Sequence, residues 1–190
     1  MRDRSLNEAR VGDVERAMAG DHDAFASLIG LAADSMFGMA VLILRDHARA
    51  EDATQEAIFR AWRELPRLRD PNRFAGWLRR LVVNACYDEG RRLRRRAEVP
   101  LLNVDIRSIG DGSGHLAERD QIERVFRRLP IDQRVVLVLH HHLDMSQAEI
   151  AALLGIPLGT AKSRLRYGSS AFRAALAAEE RSAQDTERTA

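Results

Sequence analysis

The segment from Ser146 to Arg166 constrains this chain more than any other stretch, because its punctuation is that of a helix, a tight turn and a second helix. Ser146 is a good N-cap, and Glu149, three residues later, can reach back to its backbone N–H to complete a capping box. Ile150, Ala151 and Leu154 then recur at helical spacing. Gly155 can take the left-handed conformation that ends a helix, and Pro157 suits the start of the next. The second helix offers Thr160, Lys162, Ser163, Arg164 and Arg166, and no acidic residue occurs from Ile150 to Ala178. A merely solvated helix face normally mixes both signs. Donors of these types fit phosphates and guanine edges in a major groove, so duplex DNA recognition is the sharper expectation and a plain antiparallel helix pair the blander one.

The composition fits an all-helical chain. Hydrophobic residues make up 45% of the 190 residues and charged residues 31%, a balance that excludes general disorder. Aromatics are only 5%, and no strand-like alternation persists. The N-terminus lacks the apolar core of a signal peptide. Met39 to Leu44 reads as the longest strongly apolar stretch, too short to span a bilayer, so no membrane insertion is expected. The single cysteine, Cys86, excludes an internal disulfide, fits a reducing cytoplasm and reads as a small buried residue.

Charge is informative in its distribution. The net charge is only +2 and Lys162 is the sole lysine, a bias that a GC-rich genome explains as well as nucleic-acid binding does. Clustering counts for more. Arg91, Arg92, Arg94, Arg95 and Arg96 form one dense run, and Lys162 to Arg173 forms a second basic patch. Two separated patches suggest two contacts with one polyanion.

Periodicity organises the rest. Residues before about Val11 read as frayed. Phe25, Leu28, Ile29, Ala32, Met36, Met39, Ala40 and Ile43 mark one face of a long helix, which Arg45-Asp46-His47 breaks. A helix from about Ala50 turns Ala53, Ala57, Ile58, Ala61, Trp62 and Leu65 inward. After a loop from Pro66 to Pro71, Asp70 or Asn72 can cap a helix that buries Phe74, Trp77, Leu78, Leu81, Val82 and Ala85. The pattern dissolves from Ala97 to Glu118, which reads as a flexible linker with a root-mean-square span of roughly 25 Å. One turn of B-DNA is about 34 Å, so two domains so joined can occupy separate sites on one duplex. The second domain begins near Arg119, with Ile122, Val125, Phe126 and Leu129 on one helix face. Asp132 is expected to cap a helix through Val135, Val136, Leu139 and Leu143, and the polar tail after about Glu179 to be disordered. The expected plan is a helical bundle at 11–96, a linker at 97–118 and a helix-turn-helix domain at 119–178.

The motifs resemble a known family. Leu129-Pro-Ile-Asp-Gln-Arg, Leu143-Asp-Met-Ser-Gln-Ala-Glu-Ile-Ala and Leu154-Gly-Ile-Pro-Leu-Gly-Thr-Ala-Lys-Ser-Arg-Leu resemble region 4 of an extracytoplasmic-function sigma factor. Ala50-Glu-Asp-Ala-Thr-Gln-Glu-Ala-Ile-Phe-Arg-Ala-Trp resembles region 2.2, and Phe74-Ala-Gly-Trp-Leu-Arg-Arg-Leu-Val-Val-Asn-Ala regions 2.3 and 2.4. The resemblance covers about Asp21 to Ala177. It implies a two-domain all-α protein that binds core RNA polymerase, on the clamp of its largest subunit, and promoter DNA, with an anti-sigma factor as a further partner. It implies polymerase docking through Glu51, Asp52, Gln55 and Glu56. It places the melted minus-ten strand at Asn84, Ala85, Tyr87, Arg91 and Arg92, where a side-chain amide offers both donor and acceptor to a flipped base. Thr160, Lys162, Ser163, Arg164 and Arg166 match the helix that reads the minus-thirty-five duplex.

Some residues depart from the family pattern. Ala161 stands where valine is frequent, Ala53 and Thr54 replace bulkier apolar residues, and Tyr167-Gly168-Ser169-Ser170 is expected to bend or fray its helix. His140-His141-His142 looks like a metal tract, but consecutive helical residues diverge and chelation wants spacings of three or four. No metal, cofactor or catalytic residue is expected. Two other readings stand beside the sigma factor: a helix-turn-helix regulator acting on duplex DNA without polymerase, and an adaptor that has kept the fold and lost DNA binding.

Overall fold

The computed structural model of the chain describes residues 11–98 and 124–189, and the regular structure among them is helical. The chain divides into two compact units at Val99–Pro100. Of the expected linker, Ala97 and Glu98 still belong to a helix, and 99–118 lie outside the described residues, as do the residues before Val11.

The first unit contains α1 (Val11–Met18), α2 (His22–Leu44), α3 (His47–Glu64), two 3₁₀ turns (Leu65–Arg67 and Pro71–Arg73) and α4 (Phe74–Glu98). Apolar periodicity does not separate α1 from α2. Gly20 does, at φ 98°, a conformation a side chain would strain. Asp21 then accepts the backbone N–H groups of Asp23 and Ala24, both at 3.0 Å. α2 ends at Arg45 in the left-handed region (φ 56°), and Asp46 caps α3 by accepting from the Arg49 N–H at 3.0 Å. The third helix therefore starts at His47, three residues before the expected Ala50. Asp70 rather than Asn72 acts as cap, and what it caps is the 3₁₀ turn ahead of α4.

The core of this unit joins Leu28, Ala32, Met36, Met39, Ala40 and Ile43 of α2 to Leu78, Val82, Val83 and Cys86 of α4. α3 packs against both helices and buries Ala50, Ala53, Ala57 and Ala61. Residues without bulk there let three helices approach closely. Thr54, also buried, satisfies its hydroxyl on the Ala50 carbonyl at 2.6 Å. Phe25, Ile29, Ile58, Trp62 and Trp77 are half-buried rather than central. Trp62 closes the unit's edge against the rings of His22 and Phe25, at 4.5 and 5.0 Å between centroids. By length and composition α2 could cross a membrane, contrary to the expectation that Met39–Leu44 is the longest apolar run. The misreading came from judging local density rather than the whole helix, where two separated carboxylates interrupt little. In this fold α2 buries its inner face in the bundle.

Among the described residues the second unit contains helical residues 124–128, α5 (Ile131–His141), α6 (Gln147–Leu154) and α7 (Leu158–Thr189). Val125, Phe126 and Leu129 are buried as expected; Ile122 lies outside the described residues. Val135, Val136 and Leu139 of α5 form the core with Ile150 of α6 and Ala161 and Leu165 of α7. Burying a side chain of the Val or Leu class contributes about 1.5–3 kcal/mol. Asp132 does not cap α5. Pro130 holds the N-cap position without a side-chain bond, and its carbonyl accepts from the N–H groups of Gln133 and Arg134.

Two expectations about α7 are corrected. The helix runs unbroken through Tyr167–Ser170: Gly168 is buried, and a Cβ there would meet Gln133 Cβ and Leu137 Cδ1 at 3.2 Å. The residue that looked like a helix breaker is what lets α7 lie against α5. The tail beyond Glu179 is helical as far as Thr189 rather than disordered. Its glutamates, arginines and Ala183 are strong helix formers, and an established helix extends at little cost.

Candidate functional site

The turn between α6 and α7 is built as its sequence requires. Ser146 Oγ accepts from the Glu149 N–H at 3.2 Å, and Glu149 Oε2 accepts from the Ser146 N–H at 2.8 Å. Gly155 sits in the left-handed region at φ 65°. The Pro157 carbonyl then accepts the first bonds of α7, from Thr160 at 2.9 Å and Ala161 at 3.1 Å. These contacts fix where α7 begins and which way it faces. Ala161, Leu165 and Gly168 point inward. Residues one position on, or half a turn away, must then face solvent.

Lys162 and Arg166 are exposed and share one side of α7, one turn apart. The Arg166 guanidinium lies over the Tyr167 ring, 4.8 Å from its centroid, and donates to the Tyr167 hydroxyl at 3.0 Å. Thr160 and Ser163 are half-buried, and the Ser163 hydroxyl donates to the Thr160 carbonyl at 3.0 Å. Arg164 differs from the other two cations. Its side chain is 29% exposed, and its Nε lies 3.3 Å from the carboxylate of Asp132 on α5.

On α4, Asn84 is exposed and Tyr87 half-buried. Ala85 is corrected as a site residue, because its side chain is 1% exposed in the core and out of reach of any base. Arg91 and Arg92 are exposed but paired with acids of their own helix, Asp88 and Glu89. Asp88 also receives Arg60 of α3 at 2.8 Å. Burial alone would push the Asp88 carboxyl up, but the bonds from Arg60 and Arg91 more than offset it and hold it below the ordinary carboxylate range.

The candidate docking face lies on α3. Glu51, Asp52 and Gln55 are exposed, while Glu56 is half-buried and bonded to Arg60 Nε at 2.7 Å. The same face carries a residue the sequence reading missed. Phe59 is 60% exposed, one turn beyond Gln55, with the Arg63 guanidinium 5.8 Å from its ring centre. The available signal was its spacing: Asp52, Gln55, Glu56 and Phe59 stand at i, i+3, i+4 and i+7, so a large apolar residue falls on an otherwise polar stripe.

The histidine tract holds no metal cluster among the described residues. His140 Nδ1 instead bonds the Met145 carbonyl at 2.8 Å, closing the loop before α6.

Comparison with known proteins agrees with this division. A model of sigma-70 region 2 matches residues 31–96, and one of sigma-70 region 4 matches residues 119–168. The ECF RNA polymerase sigma factor SigM of Mycobacterium tuberculosis is 33% identical over 147 residues, which cover 77% of this chain and 74% of that relative. SigW of Bacillus subtilis is 27% identical over 176 residues, covering 84% and 92%. Among solved structures, CnrH in complex with the cytosolic domain of CnrY matches with a TM-score of 0.65 at 24% identity, covering 94% of this chain and 99% of that one. RpoE from Bartonella quintana, solved with the anti-sigma factor NepR, matches with a TM-score of 0.62, also at 24% identity, covering 80% and 96%. These two likenesses establish the fold. The two region matches in one chain, with the identity to SigM over most of both proteins, establish that the chain belongs to the extracytoplasmic-function RNA polymerase sigma factors of the sigma-70 family.

Proposed function

We propose that this sigma factor docks on core RNA polymerase through the outer face of α3, reads the minus-ten strand along α4 and reads the minus-thirty-five duplex with α7. One observation carries the reading: a single chain presents an acidic helix face that ends on an exposed aromatic, and separately a helix whose outward cations have no acidic residue beside them in sequence. The α3 face has the anatomy of a protein-binding surface, with an apolar anchor inside a polar rim. The outward face of α7 has the chemistry of a phosphate and base-edge reader. A helix-turn-helix regulator acting without polymerase would have no use for the α3 face. The anti-sigma factor NepR bound in the RpoE structure supports an anti-sigma factor as a further partner here, and work on polymerase fits a cytoplasmic location.

Binding to core polymerase tests the docking assignment. Asp52→Ala with Gln55→Ala, and Phe59→Ala by itself, should each weaken that binding about tenfold or more with unchanged melting, since all three side chains are exposed. Glu56 is left intact because its loss would also free the Arg60 guanidinium that reaches Asp88 of α4. Unaltered affinity in both variants would remove α3 from the interface.

A further inference from the structure

The Asp132–Arg164 pair joins two helices, and neither residue's local role explains it. Asp132 caps nothing, since Pro130 holds that position. The pair is partly exposed, at 29% and 38%, and such pairs contribute little to stability. An acid beside a surface that binds DNA also weakens its attraction for phosphates, whatever the base sequence. Its useful effect must therefore lie in geometry.

A guanidinium carries five N–H donors in a planar fork. Nε is the atom that lies within 3.3 Å of the Asp132 carboxylate, and among the described residues no other acid is paired with the two Nη groups, which form the opposite edge. That edge suits bidentate contact with guanine O6 and N7. Holding the plane in advance also lessens the side-chain freedom lost on binding. Among the described residues Lys162 and Arg166 are paired with no carboxylate, and Arg166 instead rests on the exposed Tyr167 ring, so both keep their full charge for phosphate.

We propose that Asp132 is a specificity-determining positioning residue of the duplex-reading surface, orienting the Arg164 guanidinium for a guanine edge. The proposal rests on the reading of α7 as the minus-thirty-five helix. It divides the three cations nearest the start of α7 into one ordered base reader and two phosphate binders.

The test compares the full-length parent with Asp132→Ala, Asp132→Asn, Arg164→Ala and the double variant, on duplexes carrying each base pair at every minus-thirty-five position. Binding is measured at several salt concentrations, with melting temperature as control. The parent should prefer guanine at one or two positions by roughly five- to hundredfold, and Arg164→Ala should abolish that preference. Asp132→Ala should cut the same preference roughly threefold or more, while binding to non-preferred duplexes stays level or rises. Asp132→Asn, which keeps an acceptor oxygen, should fall between. Adding Asp132→Ala to Arg164→Ala should change discrimination no further. Replacing the preferred guanine by 7-deazaguanine, which lacks the N7 acceptor, should cost the parent more than Asp132→Ala.

Intact discrimination in Asp132→Ala, with tighter binding to every duplex, would overturn the proposal and leave Asp132 as mere repulsion. A uniform loss accompanied by a lower melting temperature would overturn it in favour of a structural brace. If Arg164→Ala itself keeps the parent's preference, Arg164 is not the reader and the proposal falls with it. A parent without any sequence preference would overturn the reading of α7 as well.

Discussion

In the first unit the arginines on α4 are matched by acids of their own helix, Asp88 with Arg91 and Glu89 with Arg92. In the second, Lys162 and Arg166 stand on a helix face where, among the described residues, no acid is paired with them. The difference lies in what surrounds the cations. An arginine held by an acid three residues away contributes little net field, and its guanidinium is tethered near its own helix. An unpaired cation projects its charge into solvent and meets a phosphate at full strength. The cores differ in a parallel way. Alanines along α3 let the helices of the first unit sit close, whereas branched side chains on α5 fill the space between α5, α6 and α7 in the second. The first unit thus holds its arginines in local ion pairs on alanine-packed helices, and the second leaves Lys162 and Arg166 outward on a helix whose start is set by the turn at Gly155.

The largest expected effect separates the two cores. Leu139 is fully buried in α5, and Leu139→Ala should cost the second unit about 2–5 kcal/mol. Duplex binding should fall with it, while affinity for core polymerase, assigned to α3, is retained. Equal loss of both activities would break the comparison. Gly168 gives a sharper test of the same scaffold. Gly168→Val should cost about 1–3 kcal/mol by overpacking against Leu137 and Gln133. Gly168→Ala should lie near neutral, because a helical gain of about 1 kcal/mol offsets a contact only a few tenths of an ångström too short. Thermal unfolding of both variants decides this, and a strongly stabilised Gly168→Val would show that α7 does not need the close approach.

A smaller effect is expected at Asn84, the exposed amide on α4. Taking a base out of the stack costs a few kcal/mol, which contacts made only in the open form must offset. Asn84→Ala should lower transcription from a duplex promoter several-fold and leave polymerase binding unchanged. A template with a pre-melted bubble should restore part of the loss. Equal activity on both templates, with unchanged minus-ten preference, would take Asn84 out of the opening step and with it the selective role of the first unit.

How much of this was legible in the sequence depends on the range of the interaction concerned. The capping box at Ser146, the left-handed turn at Gly155 and the buried stripe of α2 follow from neighbours within a few residues, and spacing alone reveals them. Gly168 and Asp132 were misread because their partners lie on another helix. A glycine reads as a breaker, and an aspartate at a helix start reads as a cap, until the facing helix is known. Ala85 was placed twice, on the buried stripe of α4 by its spacing and at the minus-ten strand by the motif; packing bears out the spacing, because a motif marks a stretch of helix and not one of its sides. Phe59 was overlooked because a lone apolar residue on a polar face looks like noise in a periodicity count.

The smallest expected effect concerns pH and the network that distinguishes the first unit. Asp88 is held in its charged form by Arg60 from α3 and Arg91 from α4, and its side chain is 27% exposed. Its folded pKa is lowered against an unfolded value of about 3.9. The unfolded state therefore binds a proton at a higher pH than the folded state does. The stabilisation is fully present above the unfolded value and is lost as pH falls through the folded one. Melting of the first unit should be insensitive to Asp88 between neutrality and about pH 5, then decline below the ordinary carboxylate range. Asp88→Asn should start lower at neutral pH, by a few degrees, and decline less steeply in acid. Asp21 also titrates low, chiefly because its carboxylate accepts the Ala24 backbone N–H, so part of the acid decline will survive in the variant. Only the difference between the two curves belongs to Asp88. Parallel curves would mean that the Arg60–Asp88 link between α3 and α4 contributes nothing measurable. The docking face and the minus-ten face would then be joined by alanine packing alone.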